Sequence, residues 1–433
     1  MFLNIIHSRF TAGLLFFISF KLFAADFENS NHFNINTVFF GKSFKYSEKT
    51  QTLYTLISEN KITFNKFFEL KLTPEFIYLD QPNFNENNES SFQPNEAYLG
   101  VYSAKLSSKF GYFQMKKEGP DIFDPFDYQQ PKNYLDLMSP HKLPLLGAKF
   151  EYEVNSYSLI EATYIYKNTV PIIPSINSPW YPRENKIPTQ SENVNLVMPQ
   201  DVQYKIATNK EETDSTLNHN YIVKTKVQTN FLDFIFQFAE TLSHTPTITP
   251  VLTGNLISTN PTYEIELNNP IEINVAWKKV KNYGFGLIKP IEKYRLLTKL
   301  FYNQLISADE KTKTLSLALE KQFENVTLII ESSNQKSDDT EPVGQNISNA
   351  SKLFANATAI GLRYVPTDYF TFIIGGFYDL KNGSYYYTVN PKVNFTANLY
   401  GEAQVNQLGG KPNSLLWFFD QNDSLSVKLG YLF

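Results

Sequence analysis

The chain has 433 residues, with 39 Lys and Arg against 43 Asp and Glu and a formal charge of −4. This mild acidity argues against a nucleic-acid binder, which would carry a basic patch. Cysteine is absent, which excludes disulfides and thiolate metal sites, while Phe, Tyr and Trp make up 15% of the residues.

The first residues, MFLNIIHSRFTAGLLFFISFKLFAADFENS, carry Arg9, then an apolar run from Thr11 to Phe20, then Ala24 and Ala25. That is the layout of a secretory signal peptide over 1–24, cleaved after Ala24. About ten apolar residues are too few to span a bilayer, which takes roughly 20. Cleavage removes Arg9 and Lys21 and no acid, so the mature chain is more acidic still. No later stretch is apolar for the ~18 residues a membrane helix needs. An exported, aromatic-rich chain without a helical span fits a transmembrane β-barrel, whose strands turn one face to lipid and the other to water. Residues 25–433 read as a single barrel domain.

Period-two alternation recurs along the chain. FFELKLTPEFIYL sets Phe68, Leu70, Leu72, Phe76 and Tyr78 against Glu69, Lys71, Thr73 and Glu75. GAKFEYEV, YIVKTKVQT, IEINVAWK and TLSLALEKQF follow the same rule, as strands with one wet and one apolar face do. Short connections are predicted near Asn65–Lys66, Leu106–Ser108, Asn155–Ser156, Asn230–Leu232, Glu292–Lys293, Glu324–Asn325 and Pro366–Tyr369. Long polar ones are predicted near 43–50, 81–95, 118–141, 168–219, 244–269, 337–356 and 409–421. Sorting short turns to one side and long loops to the other marks an outer-membrane barrel rather than a soluble sandwich. The expected fold is therefore all-β, a transmembrane antiparallel barrel of about 18 strands, with 16 as fallback. VQYKIAT reads equally as loop or strand, and the turn between SYYYTVNPKV and LYGEAQVNQL is poorly marked. Tyr78, Tyr98, Tyr166, Tyr302, Tyr364, Tyr369, Phe370, Tyr385 and Tyr431 stand at strand ends, where interfacial aromatic girdles sit. The last strand, DSLSVKLGYLF, alternates Leu425, Val427, Leu429 and Tyr431 with Ser426, Lys428 and Gly430.

With its exported start, alternating strands, sorted loops and terminal LGYLF, the chain resembles Gram-negative outer-membrane barrels of the porin type. The resemblance implies outer-membrane lipid as surroundings. It also implies that Phe433 is an assembly signal read by the barrel-assembly machinery. A narrower likeness lies in GYFQMKKEGPDIFDPFDYQQPKNYLDLMSPHKLPLLGAKFEY and VPIIPSINSPWYP. It looks like a porin-like group near the alginate-export-type barrels, with Gly119, Asp121, Pro125, Asp127, Pro171, Pro174 and Trp180 matching the pattern. Met115-Lys116-Lys117 stands where an aromatic–Gly pair would precede the first segment.

Three kinds of site are expected. Asp121, Asp124, Asp127 and Asp136 lie in a Pro-stiffened segment that reads as a loop folded into the lumen, as a surface loop, or as oxygen ligands for a hard cation. The three-residue spacing lacks the D-x-D-x-D-G calcium pattern, and no metal or other cofactor is assigned. In the longest insertion Trp180, Tyr181 and Arg183 could stack on and hydrogen-bond a solute, or pack within the loop. The pleat points Lys71, Lys149, Glu151, Lys224, Lys226, Lys278, Arg295, Lys299, Arg363 and Lys428 into the lumen, along with acids including Glu69, Glu75, Glu161, Glu320, Glu331 and Glu402. The signs balance, which predicts neither strong anion nor strong cation preference. The histidines are isolated, and no G-x-S-x-G elbow or H-E-x-x-H helix occurs, so an enzyme is not expected. The start runs almost directly into the first strand, leaving no room for an N-terminal plug. The expected function is a channel for small hydrophilic solutes. The alternative is a non-conducting surface protein whose loops bind a partner or polymer.

Overall fold

The computed structural model describes residues 26–433 apart from 42–49, 81–88, 127–129, 134–139, 170, 173–193, 198–203, 209–215, 243–246, 260–262, 269, 307–309, 340–355, 382, 412–413 and 415. The leader, Asp127, Asp136, Trp180, Tyr181 and Arg183 lie outside the described residues. Eighteen strands form one sheet. They are β1 (Asp26–Phe40), β2 (Thr50–Asn65), β3 (Phe68–Asp80), β4 (Glu89–Tyr102), β5 (Leu106–Phe113), β6 (Leu145–Asn155), β7 (Ser158–Lys167), β8 (Asn218–Gln228) and β9 (Asp233–Leu242). The circuit continues through β10 (Lys279–Ile291), β11 (Leu296–Ile306), β12 (Glu310–Gln322), β13 (Val326–Asp339), β14 (Asn356–Thr367), β15 (Phe370–Asp379), β16 (Tyr385–Asn394), β17 (Leu399–Gly409) and β18 (Ser424–Leu432). Consecutive strands pair antiparallel, and β18 pairs back onto β1, with Leu432 opposite His32 and Ser424 opposite Phe40. The sheet is a closed barrel.

Closure gives each strand an outer and an inner face, and the sequence period assigns them. Along β12, Leu315, Leu317 and Leu319 stand exposed while Thr312, Thr314 and Ser316 are buried. Along β18, Leu425, Val427, Leu429 and Tyr431 are exposed, and Ser424 and Ser426 are buried. A soluble protein would hide these leucines and show these serines. A barrel in lipid does the reverse, because its outer surface meets acyl chains and all its backbone groups are satisfied by neighbouring strands.

Several of the short turns are built by one local device. Asn65 Oδ1 accepts the N–H groups of Phe67 and Phe68 at 2.7 and 3.1 Å, Asn155 Oδ1 accepts that of Tyr157 at 2.8 Å, and Thr229 Oγ1 accepts those of Phe231 and Leu232 at 3.3 and 3.0 Å. A short polar side chain that bonds the backbone two residues on makes a turn without a longer loop. Seven of the short turns at this end, among the described residues, present an aromatic. Phe67, Tyr157, Phe231, Tyr294, Phe323, Tyr369 and Phe395 are all exposed at this end, as is Phe433, which stacks on Tyr431 with ring centroids 5.8 Å apart. Aromatic rings gathered at one rim match a membrane–water interface. Tyr98 does not join them. It is inward and buried, donating its hydroxyl to Glu69 Oε1 at 3.2 Å.

Several boundaries differ from the sequence expectation. The turn placed at Leu106–Ser108 is 103–105, and β4 begins at Glu89, inside the expected 81–95 loop. The poorly marked turn is 395–398, where Thr396 Oγ1 accepts the N–H groups of Asn398 and Leu399 at 3.1 and 3.0 Å. Sorting of loops is incomplete, since β11–β12 and β15–β16 join through short connections on the long-loop side. The largest difference is IEINVAWK. Ile271–Ala276 is not a barrel strand but the centre of a small sheet, parallel to Tyr204–Thr208 and antiparallel to Thr247–Val251. A companion sheet joins Val194–Val197 to Tyr263–Leu267 and Gly254–Ser258. The two longest loops therefore share small sheets, and period two alone cannot tell such a sheet from the barrel wall. Lys278 follows this strand and is not a barrel-strand residue, and Arg295 sits exposed at φ 48° in the β10–β11 turn. Neither is a lumen charge on a strand, as the pleat had implied.

The two faces make a directional prediction. Leu317→Arg should lower barrel stability by about 2–4 kcal/mol, the range for a cation at mid-depth on a lipid face. Glu320→Arg, on the inner face, should change it little. Urea unfolding in lipid vesicles separates the two, and equal losses would contradict the assignment of faces.

Candidate functional site

The described residues of the connection between β5 and β6 (114–144) turn back along the inner wall. Its base is closed by Gln130, which accepts the Met115 N–H at 3.0 Å and donates to Leu143 O at 2.7 Å. Lys132–Asn133 pairs antiparallel with His141–Lys142. Farther along, Asp124 folds the tip on itself by accepting the N–H groups of Gly119 at 3.2 Å and Phe126 at 2.8 Å. A Cβ at position 119 would lie 2.1 Å from Asp124 Oδ1, so glycine is what lets this carboxylate approach.

The tip is seated on strands far from its origin. Glu331, on β13 and 1% exposed, accepts three successive backbone N–H groups, from Asp121 at 2.6 Å, Ile122 at 2.8 Å and Phe123 at 2.9 Å. Each hydrogen bond to a charged group contributes about 1.5–3 kcal/mol, and together they compensate a carboxylate that would otherwise be buried alone. Asn303 Nδ2 donates to Pro125 O at 2.8 Å, and Lys299 Nζ donates to Gly119 O at 3.2 Å, both from β11. Phe126 packs edge-on against Phe301 at 5.0 Å, beside Ile235, over Gly284, where a Cβ would come within 2.3 Å of its ring. Phe123 packs on Ala357 and Ala359 of β14. Two aromatic anchors thus rest in seats that small wall residues open, with Glu331 between them. From β5 to β14 is half the circuit of the barrel.

The inner charges are mostly engaged. Lys149 reaches Glu151 at 2.8 Å and Glu161 at 2.9 Å. Lys224 reaches Glu118 of the inner segment at 3.5 Å and Glu161 at 3.9 Å. Lys71 pairs with Glu96, and Glu75 meets His141 Nε2 at 3.3 Å. Lys226 shares the face of Lys224 on β8, and Arg363 lies exposed on the same side of β14 as Ala357 and Ala359. Lys428 faces inward on β18, 5.9 Å from the Tyr400 ring centroid. Of the aspartates read as one group, Asp124 caps its own turn, whereas Asp121 is exposed and contributes only its backbone to Glu331. Sequence reasoning counted Glu331 among the inward acids but missed its part in holding the segment. It also missed Gly284, Asn303 and Ala357, since a small residue in a strand gives no sign of what rests on it.

No family model matches the sequence, and no curated protein matches it. Among solved structures the chain is similar to OccK5 (OpdH) of Pseudomonas aeruginosa, with a TM-score of 0.55 at 10% identity, covering 94% of this chain and 97% of that one. OccAB3 of Acinetobacter baumannii gives 0.53 at 8% identity, with 95% and 99% covered. OccK7 (OpdD) of Pseudomonas aeruginosa gives 0.51 at 8%, with the same coverage. At these identities the likeness is one of fold, and the fold is that of the porin-type outer-membrane barrel. None of the three bears on the narrower likeness to alginate-export-type barrels.

Hydrogen exchange tests the seating of the segment. Gly284→Leu removes the Phe126 seat and forfeits about 1.5–3 kcal/mol of aromatic burial. Exchange at the Asp121, Ile122 and Phe123 amides should then quicken by roughly tenfold or more. Unchanged protection in a folded barrel would contradict the arrangement.

Proposed function

We propose that the protein is an outer-membrane channel of a Gram-negative bacterium, passing small hydrophilic solutes by diffusion, with residues 114–131 as the segment that narrows its lumen. The observation that carries this reading is the seating of that segment across half of the inner wall by Glu331, Asn303 and Phe126. Barrels of 16–18 strands commonly leave an aqueous channel, and an inward segment restricts one without closing the fold. The polar inner face, the apolar outer face and the fold likeness all support the same reading. Asp121 and Asp124 belong to the narrowing segment, with Asp127 and Asp136 in the same connection. The solute roles of Trp180, Tyr181 and Arg183 rest on their residue types alone. Export through the 1–24 leader and reading of Phe433 by the barrel-assembly machinery complete the proposal.

The second reading, a surface protein that binds through its long loops, is favoured by one observation. The two longest loops share two small sheets and so form ordered structure separate from the barrel sheet. Planar-bilayer recording distinguishes the readings. The channel predicts discrete current steps from the folded barrel, altered in size or solute preference when residues 173–193 are deleted. A folded barrel that carries no current would overturn it in favour of the second.

A further inference from the structure

We propose that the wall formed by β16 and β17 is a track for uncharged, polyhydroxylated solutes such as sugars. This rests on the channel reading above and names the solute class for the same lumen. The first support is what the opposite wall lacks. Across β6 to β8 Lys149, Lys224 and Glu161 are buried and paired with one another or with Glu151 and Glu118, and Glu331 is committed to the inner segment. Those buried pairs leave a passing ion little of their charge to meet.

At Tyr386, Thr388 and Asn390 of β16 and Gln404 and Asn406 of β17 the inner face is made of hydroxyls and amides instead. Tyr386, Thr388 and Asn390 occupy successive inward positions on β16 and are half-buried. Thr388 pairs in register with Asn406 of β17. Asn406 Oδ1 accepts from Tyr386 Oη at 2.7 Å, Thr388 Oγ1 at 3.1 Å and Gln404 Nε2 at 2.8 Å. Gln404 Nε2 also lies 3.3 Å from both hydroxyls. Hydroxyls serve as donor or acceptor by rotation, and each amide offers both. Such a set can exchange its internal bonds for bonds to a hydroxylated solute at little net loss. It offers no full charge to an ion.

The charges at the short-turn end of this wall are two lysines against one glutamate. Glu402 stands in register between Lys392 and Lys428 and accepts from Asn390 Nδ2 at 2.6 Å. The Lys392 ammonium lies 4.4 Å from the Tyr400 ring centroid. The Phe377 ring, 5.7 Å from that of Tyr386, supplies apolar surface beside the hydroxyls, which suits the C–H face of a sugar ring.

Swelling of proteoliposomes in glucose, gluconate and glucosamine tests the proposal, because the three differ in charge far more than in size. The protein should admit glucose about threefold or more faster than either ion, a ratio that one net hydrogen bond supplies. Gln404→Leu should slow glucose by a similar factor and lower the ratio, and Gln404→Lys should favour gluconate. Thr388→Val removes one hydroxyl at constant shape and carries the same expectation if the Gln404 variants fail to fold. Gluconate or glucosamine entering as fast as glucose would overturn the track while leaving the channel standing. Exclusion of all three would overturn the channel reading and the track with it.

Discussion

A strand in lipid has no water to satisfy an unpaired N–H or C=O, so a sheet that crosses a membrane must close on itself. The pairing of β18 with β1 meets that constraint, and the remaining architecture depends on it. Closure divides every strand into a lipid side and a lumen side. It also creates an enclosed wall on which an inward segment can be held. The same division explains why leucines stand exposed on β12 while Ser316 is buried.

The inner wall is not uniform around its circuit. From β4 to β9 it carries an apolar cluster of Tyr98, Phe113, Met115, Leu145, Ile165, Ile222 and Ala239, beneath the base of the inner segment. Next to this cluster lie the ion pairs of Lys149 and Lys224. Beyond them β9 to β14 receive the tip of the segment, through small residues such as Gly284 and Ala357, polar ones such as Asn303, and the Phe301 ring. On β16 and β17 Tyr386, Thr388, Asn390 and Gln404 line the lumen half-buried, beside the charges of Lys392 and Glu402. A wall filled on one side and polar on the other channels whatever passes toward the polar side.

How much of this was legible follows from physical range. The strand period is local, so β3, β6, β8, β12 and β18 could be read from alternation together with their inward and outward rows. The period loses its meaning where glycine replaces a side chain, as in the NYGFG of β10. There the neighbouring IEINVAWK gave the stronger alternation and was mistaken for wall. Turn 103–105 is Ser-Ala-Lys, with no Asn, Pro, Gly or aromatic to mark it, and its predicted position is displaced. The inner segment was recognisable as Gly-, Asp- and Pro-rich, but its seat was not. Asp121 and Glu331 are 210 residues apart, and nothing in the local sequence of either announces the other.

The seat of the inner segment is the claim on which the functional account turns, and cross-linking tests it most directly because the chain contains no cysteine. Phe123 and Ala357 pack together, so the double variant Phe123→Cys, Ala357→Cys should form an internal disulfide on mild oxidation of the folded barrel. That would be seen as faster migration on a non-reducing denaturing gel. Phe123→Cys combined with Asn34→Cys, on the inner face of β1, should form none. Absence of the first cross-link in a folded barrel, or equal formation of both, would contradict a segment seated on β13 and β14.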